Sequence, residues 1–259
     1  MRWQRDGWDA RWRIGVLVPH ADLGPESELA AMAPPDVSIH ATRVPFGAIR
    51  AGGGLDPTIP LAPVRAFAEP PHVDDAAELL AAAPLHAIGF GFTSSAYVIG
   101  ADEERAMVER LTERARRIPV VTPCAGAVEA LRLLGAERIA LIDPPWFDAE
   151  LNGLGRSYYE GAGFDVVLSS PAGLPSDQEQ ITPEALFDFV VDNVPASAQA
   201  IVLGGNGFRS VGVVQAVEEH LGKPFIPANA ALFWAALRAA GAPTSLVIGY
   251  GRIFHANRD

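Results

Sequence analysis

Short apolar runs alternate along the chain with stretches in which apolar and charged positions recur at helical spacing, the pattern of an α/β protein with parallel strands. The first run, residues 13–19, reads Arg13-Ile14-Gly15-Val16-Leu17-Val18-Pro19 and is stopped by its proline. A second strand is expected at residues 37–43, where β-branched side chains alternate with polar ones. The density of Gly and Pro between residues 47 and 71 predicts a long irregular connection, a lid or binding element in which motion is expected. A short helix follows at 74–83, a buried strand at 87–92, and a strongly helical, charge-laced segment at 102–117. Residues 118–124 read as a strand running into a turn, and 127–134 as a helix capped by Gly135.

The chain then repeats itself. Residues 138–144, with Asp148 beyond them, echo residues 13–19 and Asp22. The apolar run and small-residue turn of 87–97 return at 200–208, and 118–135 return as 223–229 with the helix ending near Gly241. These echoes imply a duplication: two similar parallel-sheet halves related by a pseudo-two-fold axis, with the active site between them.

Both repeated runs end in small polar residues, Thr93, Ser94 and Ser95 in one copy and Gly204, Gly205, Asn206 and Gly207 in the other. Such ends leave backbone N–H groups uncovered, and with hydroxyls beside them they can hold an anion or a polarised oxygen. The plainer role of Thr93, Ser94 and Ser95 is to cap a helix. Asn206 either offers its amide to a substrate oxygen or tolerates a left-handed turn beside its glycines. His20 and Asp22 follow the first strand as proton carriers or as solvated turn residues. Cys124 reads more readily as a small buried hydrophobe than as a nucleophile, Tyr97 as core, and Phe92 and Trp146 as aromatic walls of a pocket. The turn at 204–207 lacks the G-x-G-x-x-G spacing, the one lysine, Lys223, is not in a Walker motif, and no G-x-S-x-G is present. Nucleotide binding and conventional serine hydrolysis are therefore disfavoured.

Composition narrows the partners. The chain has 259 residues, 49% of them hydrophobic, enough for a sizeable core. A net charge of -11 argues against nucleic acid or an anionic membrane as partner. One cysteine excludes an internal disulfide, and six scattered histidines show no metal-ligand spacing, so no metal is expected. Residues 1–13, with Trp3, Trp8 and Trp12, form a surface arm or a clasp on a neighbouring subunit; they lack a signal-peptide core, and a cytoplasmic location is expected.

Residues 19–28, Pro19-His20-Ala21-Asp22-Leu23-Gly24-Pro25-Glu26-Ser27-Glu28, resemble the first-strand loop of the maleate cis-trans isomerases, and Phe92-Thr93-Ser94-Ser95 their first catalytic turn. Gly204-Gly205-Asn206-Gly207 sits where their second would be, and Gly249-Tyr250-Gly251-Arg252-Ile253-Phe254 is similar to the closing segment of arylmalonate decarboxylases. The resemblance implies the aspartate/glutamate racemase superfamily, in its maleate isomerase and arylmalonate decarboxylase branch. It implies two Rossmann-like (flavodoxin-like) halves, no cofactor, a small-molecule substrate, and chemistry next to a carboxylate. The tail would return to complete the first half, so that residues 1–117 with 225–259 form one half and 118–224 the other. A homodimer is compatible with it.

The departures bear on mechanism. The family's two cysteine positions align with Phe92 and Gly205, the isomerases' carboxylate-binding asparagine with Asp22, and a family tyrosine with Trp146. An ionised Asp22 would repel a carboxylate, so either that end of the substrate is neutral or cationic, or Asp22 is itself the acid/base group, its pKa raised by burial. The expectation is a cofactor-independent isomerase, racemase or decarboxylase-like enzyme acting by a route other than two cysteines. Asp22 with His20 would move protons, and Thr93, Ser94, Ser95 and the Gly205 to Gly207 amides would hold the oxyanion. Cys124 as a lone thiol is a further option. The rival expectation is a catalytically silent binding or regulatory protein that retains the cleft.

Overall fold

The computed structural model describes residues 4, 6–48 and 58–256. Among the described residues eight strands form two parallel four-stranded sheets. The first contains β1 (Trp12–Pro19), β2 (Val37–Val44), β3 (Ala87–Phe90) and β4 (Val120–Val121), in the order β2-β1-β3-β4. The second repeats that order as β6-β5-β7-β8, from β5 (Arg138–Asp143), β6 (Asp165–Pro171), β7 (Ala200–Leu203) and β8 (Phe225–Pro227). Strands buried on both faces read as continuous apolar runs, which is why Ile14, Val16, Leu17 and Val18 in β1 and Ile139, Ala140, Leu141 and Ile142 in β5 are fully buried. Register repeats as well. Ile14 pairs with Ala87 in one sheet as Ile139 pairs with Ala200 in the other. The two-half α/β architecture expected from the echoes is the one observed.

In each sheet the strand order reverses direction beside the first strand, and a crevice opens there at the carboxyl ends of the strands. The helices complete the layers. α1 (Gly24–Met32) follows β1, while α2 (Leu61–Ala68) and α3 (His72–Leu80) lie between β2 and β3. After β3 comes α4 (Thr93–Arg114), broken at Gly100, where φ is 78° and ψ 166°. α5 (Pro123–Leu133), α6 (Ala149–Gly161), α7 (Pro183–Asn193), α8 (Val214–Leu221) and α9 (Ala228–Ala239) follow in turn. α9 crosses back toward the first sheet, where the Leu232 side chain lies 3.1 Å from the place a Cβ on Gly89 would occupy.

Several elements differ from the expected ones. Residues 61–68 of the supposed irregular connection form α2, and residues 49–57 of it lie outside the described residues, as does Trp3. The polar stretch after β1 becomes α1, because Pro25 suits a first helical turn and Leu29 and Met32 give it a buried face. Residues 93–95 are not a free turn but the first turn of α4. Two strands also fall outside the expected halves. β4 pairs with β3 in the first sheet, and β8 pairs with β7 in the second, so the sheet boundaries do not coincide with residues 118 and 224. Among the described residues no helix is long and apolar enough to cross a membrane.

Candidate active site

The equivalent connections of both halves converge on one cleft. From the first half come Pro19 and Asp22 after β1, Phe46 and Ile59 after β2, and Phe92, Thr93 and Ser94 after β3. The second half supplies Trp146 and Phe147 after β5, Gln178 after β6, and Gly205, Asn206 and Gly207 after β7. The cavity measures about 20 Å3, room for roughly one water molecule. A ligand of several heavy atoms must therefore displace wall side chains to enter.

Asp22 is 7% exposed. Its Oδ1 accepts from the backbone N–H of Gly24 at 2.9 Å and from Gln178 Nε2, across the cleft, at 3.4 Å. Its Oδ2 lies 2.8 Å from the position a Cβ on Gly207 would take, so the carboxyl rests directly against the second turn. Burial pushes its pKa up, and the bonds from Gly24 and Gln178 and the charge of Arg43 offset this only in part. The Arg43 guanidinium is occupied elsewhere: it donates to the Asp22 backbone carbonyl at 3.0 Å and pairs with Glu26.

Glycines on both sides of Asn206 leave most of the second turn as bare backbone. Gly205 has φ 77°, and a Cβ there would lie 2.1 Å from Pro144 Cγ, so only glycine fits. The N–H groups of Gly205, Asn206 and Gly207 donate to no group among the described residues. Opposite them the Ser94 hydroxyl is likewise without a partner among the described residues, on a residue 2% exposed at the cleft wall.

Asn206 holds the two turns together. Its Oδ1 accepts from the Thr93 N–H at 2.7 Å and the Thr93 hydroxyl at 2.6 Å, while its Nδ2 donates to Asn229 Oδ1 at 2.7 Å. Asn229 Nδ2 in turn donates to the Asn206 carbonyl at 2.8 Å and to Glu28 Oε2 at 2.7 Å. The backbone partners at both ends fix the orientation of each amide. Glu28 completes the chain by accepting from the backbone N–H groups of Ser210 and Val211, at 2.5 Å and 2.9 Å. Asn206 is thus a brace between the halves, and the left-handed residue of the turn is Gly205.

The expected site residues separate into two groups. Asp22, Phe92, Thr93, Ser94, Trp146, Gly205, Asn206 and Gly207 line the cleft. His20, Ser95 and Cys124 do not. His20 is exposed on the outer side, its Nδ1 accepting from the Phe46 N–H at 3.1 Å. Ser95 turns away and donates to the Val64 carbonyl at 2.9 Å. Cys124 is fully buried behind the first turn, its Sγ 3.7 Å from the Thr93 carbonyl, and burial pushes the thiol well above its ordinary pKa. A thiolate is not available there. Since the chain has one cysteine, the cleft has none.

Gln178, Phe46, Ile59 and Phe147 were not legible as site residues; Gln178 sits in a polar loop with no periodicity to mark it. Asp143 carried a signal, an aspartate ending an apolar strand. It is wholly buried, accepting from Tyr97 Oη at 3.2 Å and Asn152 Nδ2 at 2.7 Å, and burial pushes its pKa up to about 7.

With the cleft placed between the halves, comparison with known proteins is decisive. The profile of the arylmalonate decarboxylase family matches residues 68–254. The chain belongs to that family. It is 27% identical to a maleate isomerase of Pseudomonas putida over 237 residues, 88% of this chain and 91% of that one. It is 25% identical to the arylmalonate decarboxylase of Bordetella bronchiseptica over 62% of this chain and 68% of that one. In fold it is similar to a variant maleate isomerase of Pseudomonas putida S16 crystallised with maleate, with a TM-score of 0.83 at 22% identity, covering 95% and 98% of the two chains. A structure of arylmalonate decarboxylase gives 0.77 at 23% identity, covering 95% and 100%. The resemblance drawn from the two turns and the closing segment is borne out.

Proposed function

We propose that this protein is a cofactor-independent lyase or isomerase that generates and protonates a carbanion next to a carboxylate or carbonyl of a small organic acid, with Asp22 as its proton carrier. The family and its named relatives support the reaction class. The observation that carries the assignment is a buried carboxyl of raised pKa resting against a turn of unpaired N–H groups, in a cleft without a cysteine.

The substrate oxygen that gains charge is received by the Ser94 hydroxyl and the Gly205, Asn206 and Gly207 N–H groups, donors fixed before the reaction begins. In a decarboxylation the bond to the departing carboxyl group breaks, its electron pair passes into the enolate, and carbon dioxide leaves. Asp22 then gives its proton to the carbon and regains one from water. Burial shifts the Asp22 carboxyl toward its neutral form, and in that form it can give up a proton and does not repel an incoming carboxylate. Among the described cleft residues Asp22 is the one acid. A single proton carrier serves decarboxylation or one-sided proton exchange, whereas racemisation through two carriers needs a partner the described cleft lacks; this favours the lyase.

The test is proton NMR of a panel of arylmalonates, maleate, amino acids, hydantoins and neutral 2-oxo compounds in heavy water. Solvent deuterium at the carbon next to the carbonyl is expected, with turnover falling about 10²- to 10⁴-fold in Asp22→Asn. Because the acid form is the active one, turnover should also fall as pH rises through the raised Asp22 pKa. Binding without exchange or product across the panel would instead support a silent binding protein.

A further inference from the structure

Directly beneath the second turn, on the side away from the cleft, lies a buried cluster that the proposed chemistry does not use. Asp143 ends β5 and precedes Pro144, whose ring closes the space beside Gly205, and the cleft residues Trp146 and Phe147. Its Oδ1 lies 2.1 Å from the position a Cβ on Gly204 would take, so the carboxyl abuts the first residue of the turn. Tyr97, on the first turns of α4, reaches across from the other half to donate to it, and its hydroxyl lies 2.9 Å from the same Gly204 position. On the remaining side Asn152 donates to Oδ2, and Ser169 donates to Asn152 Oδ1 at 3.2 Å. Asp143 has no cation partner among the described residues.

We infer that Asp143 and Tyr97 are positioning residues for the second turn, and that the charge on Asp143 sets how well the Gly205 to Gly207 amides hold an anion. Neutral, Asp143 leaves the turn's partial positive charge to face the cleft. Ionised, it places an unpaired negative charge in a low-dielectric region on the back of the same turn, and an anion in front of it is repelled. The other titratable groups facing Asp143 are Tyr97 from α4, Cys124 from α5 and Tyr159 from α6. Burial raises all three well above their ordinary values, so they stay neutral where Asp143 changes charge. Glu104 faces Cys124 and Tyr159 from α4, and its Oε2 accepts from Tyr158 at 2.5 Å. The pKa of about 7 that burial gives Asp143 puts the change within reach of ordinary conditions.

This inference rests on the proposed role of the cleft as an anion site, and phenylacetate, a monocarboxylate with an aromatic arm to suit the walls, tests both by calorimetric titration at a series of pH values. Wild-type affinity is expected to fall about tenfold or more as Asp143 ionises. Ionisation of Asp22 weakens binding in wild type and in Asp143→Asn alike, so the difference between their profiles isolates Asp143. That variant should lose the fall near neutrality while keeping its affinity at low pH. Tyr97→Phe, which removes a donor to the ionised carboxylate, should move the midpoint to higher pH even if Asp143→Asn folds poorly. Parallel profiles in wild type and Asp143→Asn, or an unmoved midpoint in Tyr97→Phe, would overturn the inference and leave the cleft assignment standing. Absence of phenylacetate binding at every pH would overturn both.

Discussion

The two halves share a backbone and differ in what they bring to the cleft. Asp22 and Asp148 occupy related positions after the first strand of each half, and both begin by making a turn: Asp22 accepts from Gly24 N–H and Asp148 from Leu151 N–H, each at 2.9 Å. Asp148 stops there, an exposed cap on α6. Asp22 is drawn between the sheets, touched by Gln178 of the other half and laid against Gly207. The turns after β3 and β7 differ in the same way. The first brings side chains, Thr93 and Ser94; the second keeps only that of Asn206, because Pro144, Asp143, Asp22 and Gln178 fill the places where Cβ atoms on Gly204, Gly205 and Gly207 would stand. One frame is thus used twice, with a carboxyl and hydroxyls on one copy and mostly bare amides on the other, and the proposed function rests on that asymmetry.

This asymmetry can be broken from either side. The largest effect is expected from Gly205→Cys, which places a thiol on the turn. A side chain at φ 77° facing Pro144 Cγ at 2.1 Å combines an unfavourable backbone with overpacking, about 2–5 kcal/mol of lost stability measured by denaturant titration. Full stability with a reactive thiol would show that the second turn tolerates a side chain and that its bareness is incidental. Next comes Ser94→Ala, which removes an unpaired donor from the cleft. It should lower turnover about 10²-fold or more while shifting stability by less than about 0.5 kcal/mol. The neighbouring Ser95→Ala reverses that pattern: loss of its bond to the Val64 carbonyl costs about 1 kcal/mol and leaves turnover unchanged. Equal kinetic effects of the two serine variants would mean that the first turn acts as a scaffold throughout.

Much of this was legible before any coordinates. The central strands were visible as continuous apolar runs, because parallel strands buried on both faces do not alternate, and the duplication because Ile14 to Pro19 and Ile139 to Pro144 share an apolar run ending in proline, with Asp143 in the place of Val18 as the one change of kind. The location of the cleft followed from the two small-residue turns. Direction of side chains did not follow. Successive serines at the start of a helix point roughly 100° apart, so Ser94 faces the cleft and Ser95 faces α2, and their adjacency in sequence concealed it. His20 stands two residues from Asp22 and yet outside the wall, exposed and held on the β2 loop by the Phe46 N–H that donates to its Nδ1. Contacts made only in three dimensions, Gln178 with Asp22 and Glu28 with Asn229, left no trace in spacing at all.

Proton transfer by a carboxyl rather than a thiol can be tested in a single variant, since Cys124→Ala removes the one cysteine of the sequence. Steady-state turnover of that variant, on a substrate the wild type converts and with folding verified by thermal unfolding, is predicted to match wild type within about threefold, while Asp22→Asn loses about 10²-fold or more. A folded, cysteine-free protein with no turnover, beside an Asp22→Asn variant that still works, would contradict the account.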